Sequence, residues 1–93
     1  MKGYQAFYAL IDPAMNSYVI QVLGLVDGRL EQVRRIHASG KTVVPVIEEL
    51  VAQYGDSLKS IEVDTYGIGH IHYQALRRVS SLVTGHPVGT EQR

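Results

Sequence analysis

The dipeptide Asp27-Gly28 constrains this chain more than any other pair of residues, because it stands between two strand-like runs. Asp-Gly in that setting favours a two-residue type I′ hairpin, whose turn positions both need positive φ. The run before it, Tyr18 to Val26, reads YVIQVLGLV, a nearly continuous apolar stretch suited to a strand covered on both faces. The run after it, Arg29 to His37, is polar on much of both faces, as an edge strand is. Strict alternation puts Leu30 and Ile36 on one face of it and Val33 on the other. Upstream, Tyr4 to Ile11 is rich in aromatic and aliphatic side chains and is expected to stop at Asp12-Pro13. Proline has no N–H to give a ladder, and it holds the residue before it extended. Met15-Asn16-Ser17 then completes a tight connection. Two short connections make these three strands an antiparallel meander.

The period changes after Ser39. Ser39, Gly40 and Thr42 offer helix-starting caps, and Pro45 is tolerated only within a first turn. Val43, Val46, Ile47, Leu50, Val51 and Tyr54 recur at helical spacing, and Gly55 is a suitable terminating residue. Ser60 to Thr65 alternates cleanly and predicts a fourth strand, which Gly67 and Gly69 break. A second helix is expected from about His70 to Val83, and after Gly85 a very short edge strand around Val88, or nothing ordered. In the meander the third strand runs parallel to the first. A right-handed crossover through the first helix then places the fourth strand beside the first, in the order 3-2-1-4. The expected architecture is α/β, a three-stranded antiparallel meander plus a parallel fourth strand with two helices. Asp12 ends the first strand and Asp64 the fourth, so their carboxylates should meet on one rim of the sheet, at the switch point where open α/β sheets bind ligands.

Composition bounds the function. Ninety-three residues form one domain, 1–93, with a weakly ordered tail from about residue 85. Hydrophobic residues make up 45% and charged ones 19%, a balance that fits a folded chain rather than a disordered one. Nine basic and nine acidic residues cancel, which removes any bulk electrostatic argument for nucleic acid but leaves room for a local basic patch. Cysteine is absent, so thiol nucleophiles, disulfides and zinc knuckles are excluded. No apolar run approaches the roughly 18–20 residues of a membrane span, and no leader pattern opens the chain. The expectation is a cytoplasmic protein without a membrane partner.

Two carboxylates on one strand rim are a natural site for a hard cation, Mg²⁺ or Mn²⁺, which takes oxygen ligands and keeps waters and substrate phosphates in its shell. Asp12 and Asp64 are the candidate metal ligands and catalytic acids, and Glu62, one pleat deeper on the same face as Asp64, is a supporting acid. The plainer use of Asp before Pro is to start a turn, and of Asp at a strand end to cap the next loop. Gly67 and Gly69 before a helix resemble a phosphate-binding turn, or simply allow a tight strand-to-helix connection. His70 is a candidate phosphate contact. His72, two residues on, points elsewhere on a helix, so the pair does not share one ion in helical geometry. Arg34 and Arg35, with His37 and Lys41, form a basic cluster on the third strand, and Arg77-Arg78 a second one. Either serves to contact phosphates or to keep an edge strand solvated.

The stretches IDPAMNSYVIQV and VIEELVAQYGDSLKSIEVDTYGIGHIHYQALRRV resemble the nuclease domain of phage terminase large subunits, a ribonuclease H-like fold. Asp12-Pro13-Ala14 matches the turn that closes the first strand in that family. Val63 to Gly69 matches its later Val-Asp-Thr-x-Gly-x-Gly strand-to-helix motif. The resemblance covers roughly residues 6 to 83. A looser similarity to bacterial Holliday-junction resolvases makes Glu62 the matching fourth-strand acid instead. The resemblance implies a truncated terminase-type domain and Mg²⁺- or Mn²⁺-dependent endonucleolytic cleavage of DNA, with Asp12 and Asp64 as ligands. In that family a further acid lies beyond the second helix, where this chain has only Glu91, and the first loop is longer than Met15-Asn16-Ser17. No Gly-rich Lys-Ser/Thr phosphate loop occurs, so these residues carry no packaging ATPase.

Two readings follow. One is a small metal-dependent nuclease, or nuclease-derived phage or prophage protein, acting on DNA phosphodiesters. The other is a non-catalytic ribonuclease H-like interaction module that has lost part of its ligand set. Exposed edge strands in so small a sheet make a homodimer a further expectation.

Overall fold

The computed structural model describes residues 3–65 and 69–86. Its elements are β1 (Ala6–Pro13), β2 (Ser17–Val26), β3 (Arg29–Ser39), α1 (Val43–Tyr54), β4 (Leu58–Asp64), α2 (Gly69–Leu76) and β5 (Val83–His86). The sheet has five strands in the order β3-β2-β1-β4-β5. The expected order 3-2-1-4 is present, with a fifth strand added at the β4 edge. β1 pairs antiparallel with β2 and parallel with β4, and β5 lies parallel to β4.

The hairpin turn forms as its sequence requires: Asp27 and Gly28 both have positive φ, 52° and 76°. Beyond that turn the third strand departs from simple alternation. The turn aligns Val26 with Arg29, Leu25 with Leu30 and Leu23 with Gln32, but the next pair up is Val22 with Arg34. Val33 is the extra residue of a β-bulge, and past it the alternation of β3 is inverted. Leu30 and Ile36, expected on one face, therefore lie on opposite faces. Leu30 is 53% exposed, whereas Ile36 and Val33 pack against the core and Ala38 is buried. The core accounts for the bulge. The turn's own register would push Arg35 and His37 against buried Ile20 and Tyr18, and one inserted residue sends Ile36 and Ala38 there instead.

The second helix ends earlier than its apolar spacing predicts. Arg77 N–H makes the last helical bond, to Tyr73 O, after which Val79 N–H bonds Leu76 O and the Ser80 hydroxyl accepts from Leu82 N–H. Serine draws the backbone into a turn by such local bonds. The apolar residues Val79 and Leu82, which fit a helix in sequence, then pack on the core from a turn, and Val83 opens β5. The strand expected around Val88, and the tail beyond His86, fall outside the described residues.

Ala9, Ile11, Ile20, Val22, Ile61 and Val63 form one face of the sheet, and Val43, Ile47 and Leu50 of α1 with Leu76 of α2 close over it in a single cluster. Pro45 sits in the first turn of α1, and Gly55 ends that helix at φ 56°, its N–H bonded to Val51 O. Both helices cover the same face. Among the described residues nothing covers the other.

Candidate functional site

The uncovered face carries the chemistry, and strand register decides what meets there. Leu10 pairs with Glu62 and Ile11 with Val63; Asp12 and Asp64 are the next residues on the two parallel strands. Side chains two apart share a face, so Leu10, Asp12, Glu62 and Asp64 all stand on the side away from the helices, while Ile11 and Val63 point into the core. Neighbouring strands run about 4.8 Å apart, which brings the two terminal acids side by side. They line an open cleft of about 210 Å³, together with Glu62, Leu10, Val19 and Gln21.

Asp12 does not serve its turn. Its side chain is exposed and makes no hydrogen bond or ion pair among the described residues, and the turn is closed by Ala14 N–H bonding Ser17 O. Pro13 still belongs to β1, where it lies opposite Tyr18, so Asp12 is held by ladder partners on both sides of it. Asp64 and Glu62 are half-buried. On the far side of β4, Glu62 is level with Thr84 and Asp64 with His86.

The other candidates divide. Gly67 lies outside the described residues, Gly69 is the first residue of α2, and the side chains of His70 and His72 are likewise outside them. Arg34 and Arg35 occupy opposite faces. Arg34 reaches to α1, where its guanidinium donates to Gln53 Oε1 at 3.0 Å and stands 3.9 Å from Glu49 Oε1. Arg35 is on the open face, level with Gln21, and His37 is level with Val19. Gln21 was not singled out by its sequence, although after Tyr18 it is the one polar side chain in YVIQVLGLV, and a lone polar residue in such a run is the available signal that its face is open.

No group of three His, Asp or Glu side chains among the described residues comes together closely enough to hold a metal ion. The face thus provides two neighbouring carboxylates and a third nearby, with no described cation paired to Asp12.

No protein-family model matches the sequence, and no curated protein does. Solved structures do match. The large terminase of a thermophilic bacteriophage superposes on 91% of this chain with a TM-score of 0.64 and 21% sequence identity. This is a terminase-like fold. A second crystal form of that terminase gives 0.62 and 22%, again over 91% of this chain. An Aquifex aeolicus member of the Ppx/GppA protein family matches 87% of the chain with a TM-score of 0.57 and 12% identity. These likenesses are to the fold of this chain, an α/β arrangement with a mixed five-stranded sheet and two helices. The chain spans 24% of the terminase's length and 35% of the Ppx/GppA protein's. No described helix is long and apolar enough to cross a membrane.

Proposed function

We propose that this chain is a small nuclease-type domain that cleaves DNA phosphodiesters with Mg²⁺ or Mn²⁺ bound between Asp12 and Asp64. The observation that carries the reading is the parallel β1–β4 register, which ends both strands in a carboxylate on the uncovered face. The donor set suits one hard cation: two anionic oxygen donors on neighbouring strands, an open cleft admitting water and a phosphate, and no competing lysine or arginine on Asp12 among the described residues. Asp12 and Asp64 would hold the ion, whose chemistry is to polarise a phosphoryl oxygen and to lower the pKa of a bound water. Glu62, one pleat down the same strand, supplies a further acceptor for a water on the reacting face. The likeness to a phage large terminase, a protein of the same fold, supports the assignment to a terminase-type nuclease module.

A second reading has its own observation. With no three-ligand cluster among the described residues, the sheet also suits an interaction module that keeps the fold without turnover. Metal titration separates the two. Saturating Mn²⁺ at about 100 times its Kd stabilises a binding protein by about 2.7 kcal/mol, and each kcal/mol raises Tm by about 4–8 °C in a domain of this size. The nuclease reading expects that rise, its loss in Asp12→Asn and Asp64→Asn, and loss of Mn²⁺-dependent oligonucleotide cleavage in both. An unchanged Tm in Mn²⁺, or cleavage surviving both substitutions, refutes it.

A further inference from the structure

The bulge at Val33 does more than protect the core. By inverting the alternation of β3 it moves Arg35 and His37 to the uncovered face, level with the carboxylates: one row runs His37, Val19, Asp12 across three strands, and the next runs Arg35, Gln21, Leu10, Glu62 across four. Arg35 Nη1 lies 3.0 Å from His37 Nε2. Arginine only donates, so the imidazole accepts through Nε2 and keeps its proton on Nδ1. The pair therefore presents the remaining guanidinium N–H groups and one imidazole N–H, all donors. Two other arginines on β3 have carboxylate partners, Arg29 with Asp27 and Glu31, and Arg34 with Glu49. Among the described residues Arg35 has none.

We infer that Arg35 and His37 form a phosphate anchor for a single DNA strand that crosses the uncovered face from β3 towards Asp12 and Asp64. This rests on the nuclease reading for what happens at the carboxylates, but not for the binding itself. The anchor stands two strand spacings from Asp12, about 10 Å. That is about three nucleotides along a stacked strand at 3.4 Å each, so it grips a phosphate away from the scissile one. A mononucleotide held at the carboxylates does not reach it. Down the strands from these two rows the same face turns apolar, with Tyr8, Leu23 and Leu25 half-buried. An unpaired base can stack on the Tyr8 ring of this surface, whereas the bases of a duplex are occupied with each other. The uncovered face thus has donors at its β3 edge for a phosphate, the acids on β1 and β4 across from them, and a neutral part below for the bases.

The test is fluorescence anisotropy with a labelled single-stranded DNA of about 20 nucleotides, longer than the site one small sheet domain covers. It is run in EDTA, so that no metal contributes. For single strands each lost phosphate contact reduces the slope of log K against log salt by about 0.7, and hence weakens binding about eightfold near 50 mM salt relative to 1 M. Arg35→Ala is expected to show both changes and Arg35→Lys to restore most of the affinity. Arg34→Ala removes the same charge one residue away, on the helix side, and is expected to stay within about twofold of the unaltered protein. Equal losses for Arg34→Ala and Arg35→Ala, an unchanged slope in Arg35→Ala, or no binding by the unaltered protein overturns the inference. So does a dimer by light scattering that Arg35→Ala dissolves without altering DNA affinity, since Arg35 would then be meeting the acids of a second copy. The Mn²⁺ shift is read separately, so the anchor and the metal site fail independently.

Discussion

Removing Val33 from the chain is expected to be mild, and removing Gln32 and Val33 together ruinous. After the single deletion Gln32 is followed directly by Arg34, which are the residues already opposite Leu23 and Val22, so every other pair of the β2–β3 ladder survives. The loss is the burial of one half-buried valine. Full burial of such a side chain is worth about 1.5–3 kcal/mol, so the expected cost is about 1 kcal/mol. The double deletion shifts the upper half of β3 by one residue. Arg35 then falls opposite Val22 and His37 opposite Ile20, both 0% exposed, while Ile36 is carried to the open face opposite Gln21. Burying an unpaired cation costs several kcal/mol, and a domain's whole stability is only about 5–15 kcal/mol. The double variant should therefore unfold or lose β3, at a cost of at least about 5 kcal/mol. Urea denaturation followed by circular dichroism measures both. Comparable losses in the two variants would refute the claim that Val33 acts as a one-residue register correction.

Other outcomes follow from the same geometry. Ile61→Ala empties a fully buried position on the interior strand β4 and should cost about 2–5 kcal/mol by urea denaturation. A loss below about 1 kcal/mol would mean that the two helices do not close over β4. Burial raises the Tyr18 phenol above its usual 10.0, so the neutral form is the one the fold favours. Its contribution is full below pH 10 and is lost as pH rises through the raised value. Tyr18→Phe should therefore flatten the alkaline fall of stability above about pH 10, and an unchanged slope in urea melts would assign that fall to other groups. A Cβ on Gly85 would meet the Thr65 methyl at 2.6 Å and the Tyr73 ring at 3.1 Å. Gly85→Ala should thus cost about 1–3 kcal/mol and loosen β5, seen as faster amide exchange there; unaltered exchange would show that Thr65 and Tyr73 yield freely.

Local rules made much of this fold legible in the chain itself. The Asp27-Gly28 turn, the first helix with its Gly55 stop and the fourth strand all depend on residues within one or two turns of each other, where period and turn chemistry act directly. Asp12 and Asp64 were visible for the same reason, Asp12 at the end of an apolar run before Pro13 and Asp64 near the end of an alternating run ahead of Gly67. The end of α2 was not legible, because Val79 and Leu82 satisfy helical spacing and a core-packed turn equally well, and the Ser80 hydroxyl drawing in the backbone of Leu82 favours the turn.

What the sequence by itself determined is the first four strands, the first helix, the start of the second and the two acids at strand ends. Which side chains share a face of β3 was decided only by tertiary structure. The hairpin sets one register from below and the core demands another from above, and a single extra residue reconciles them. Alternation along one strand cannot reveal such a slip, since the penalty that forces it is the burial of Arg35 and His37 against a neighbouring strand. That penalty also divides Arg34 from Arg35. Adjacent in the chain, one is bonded to a helix and the other stands beside the carboxylates.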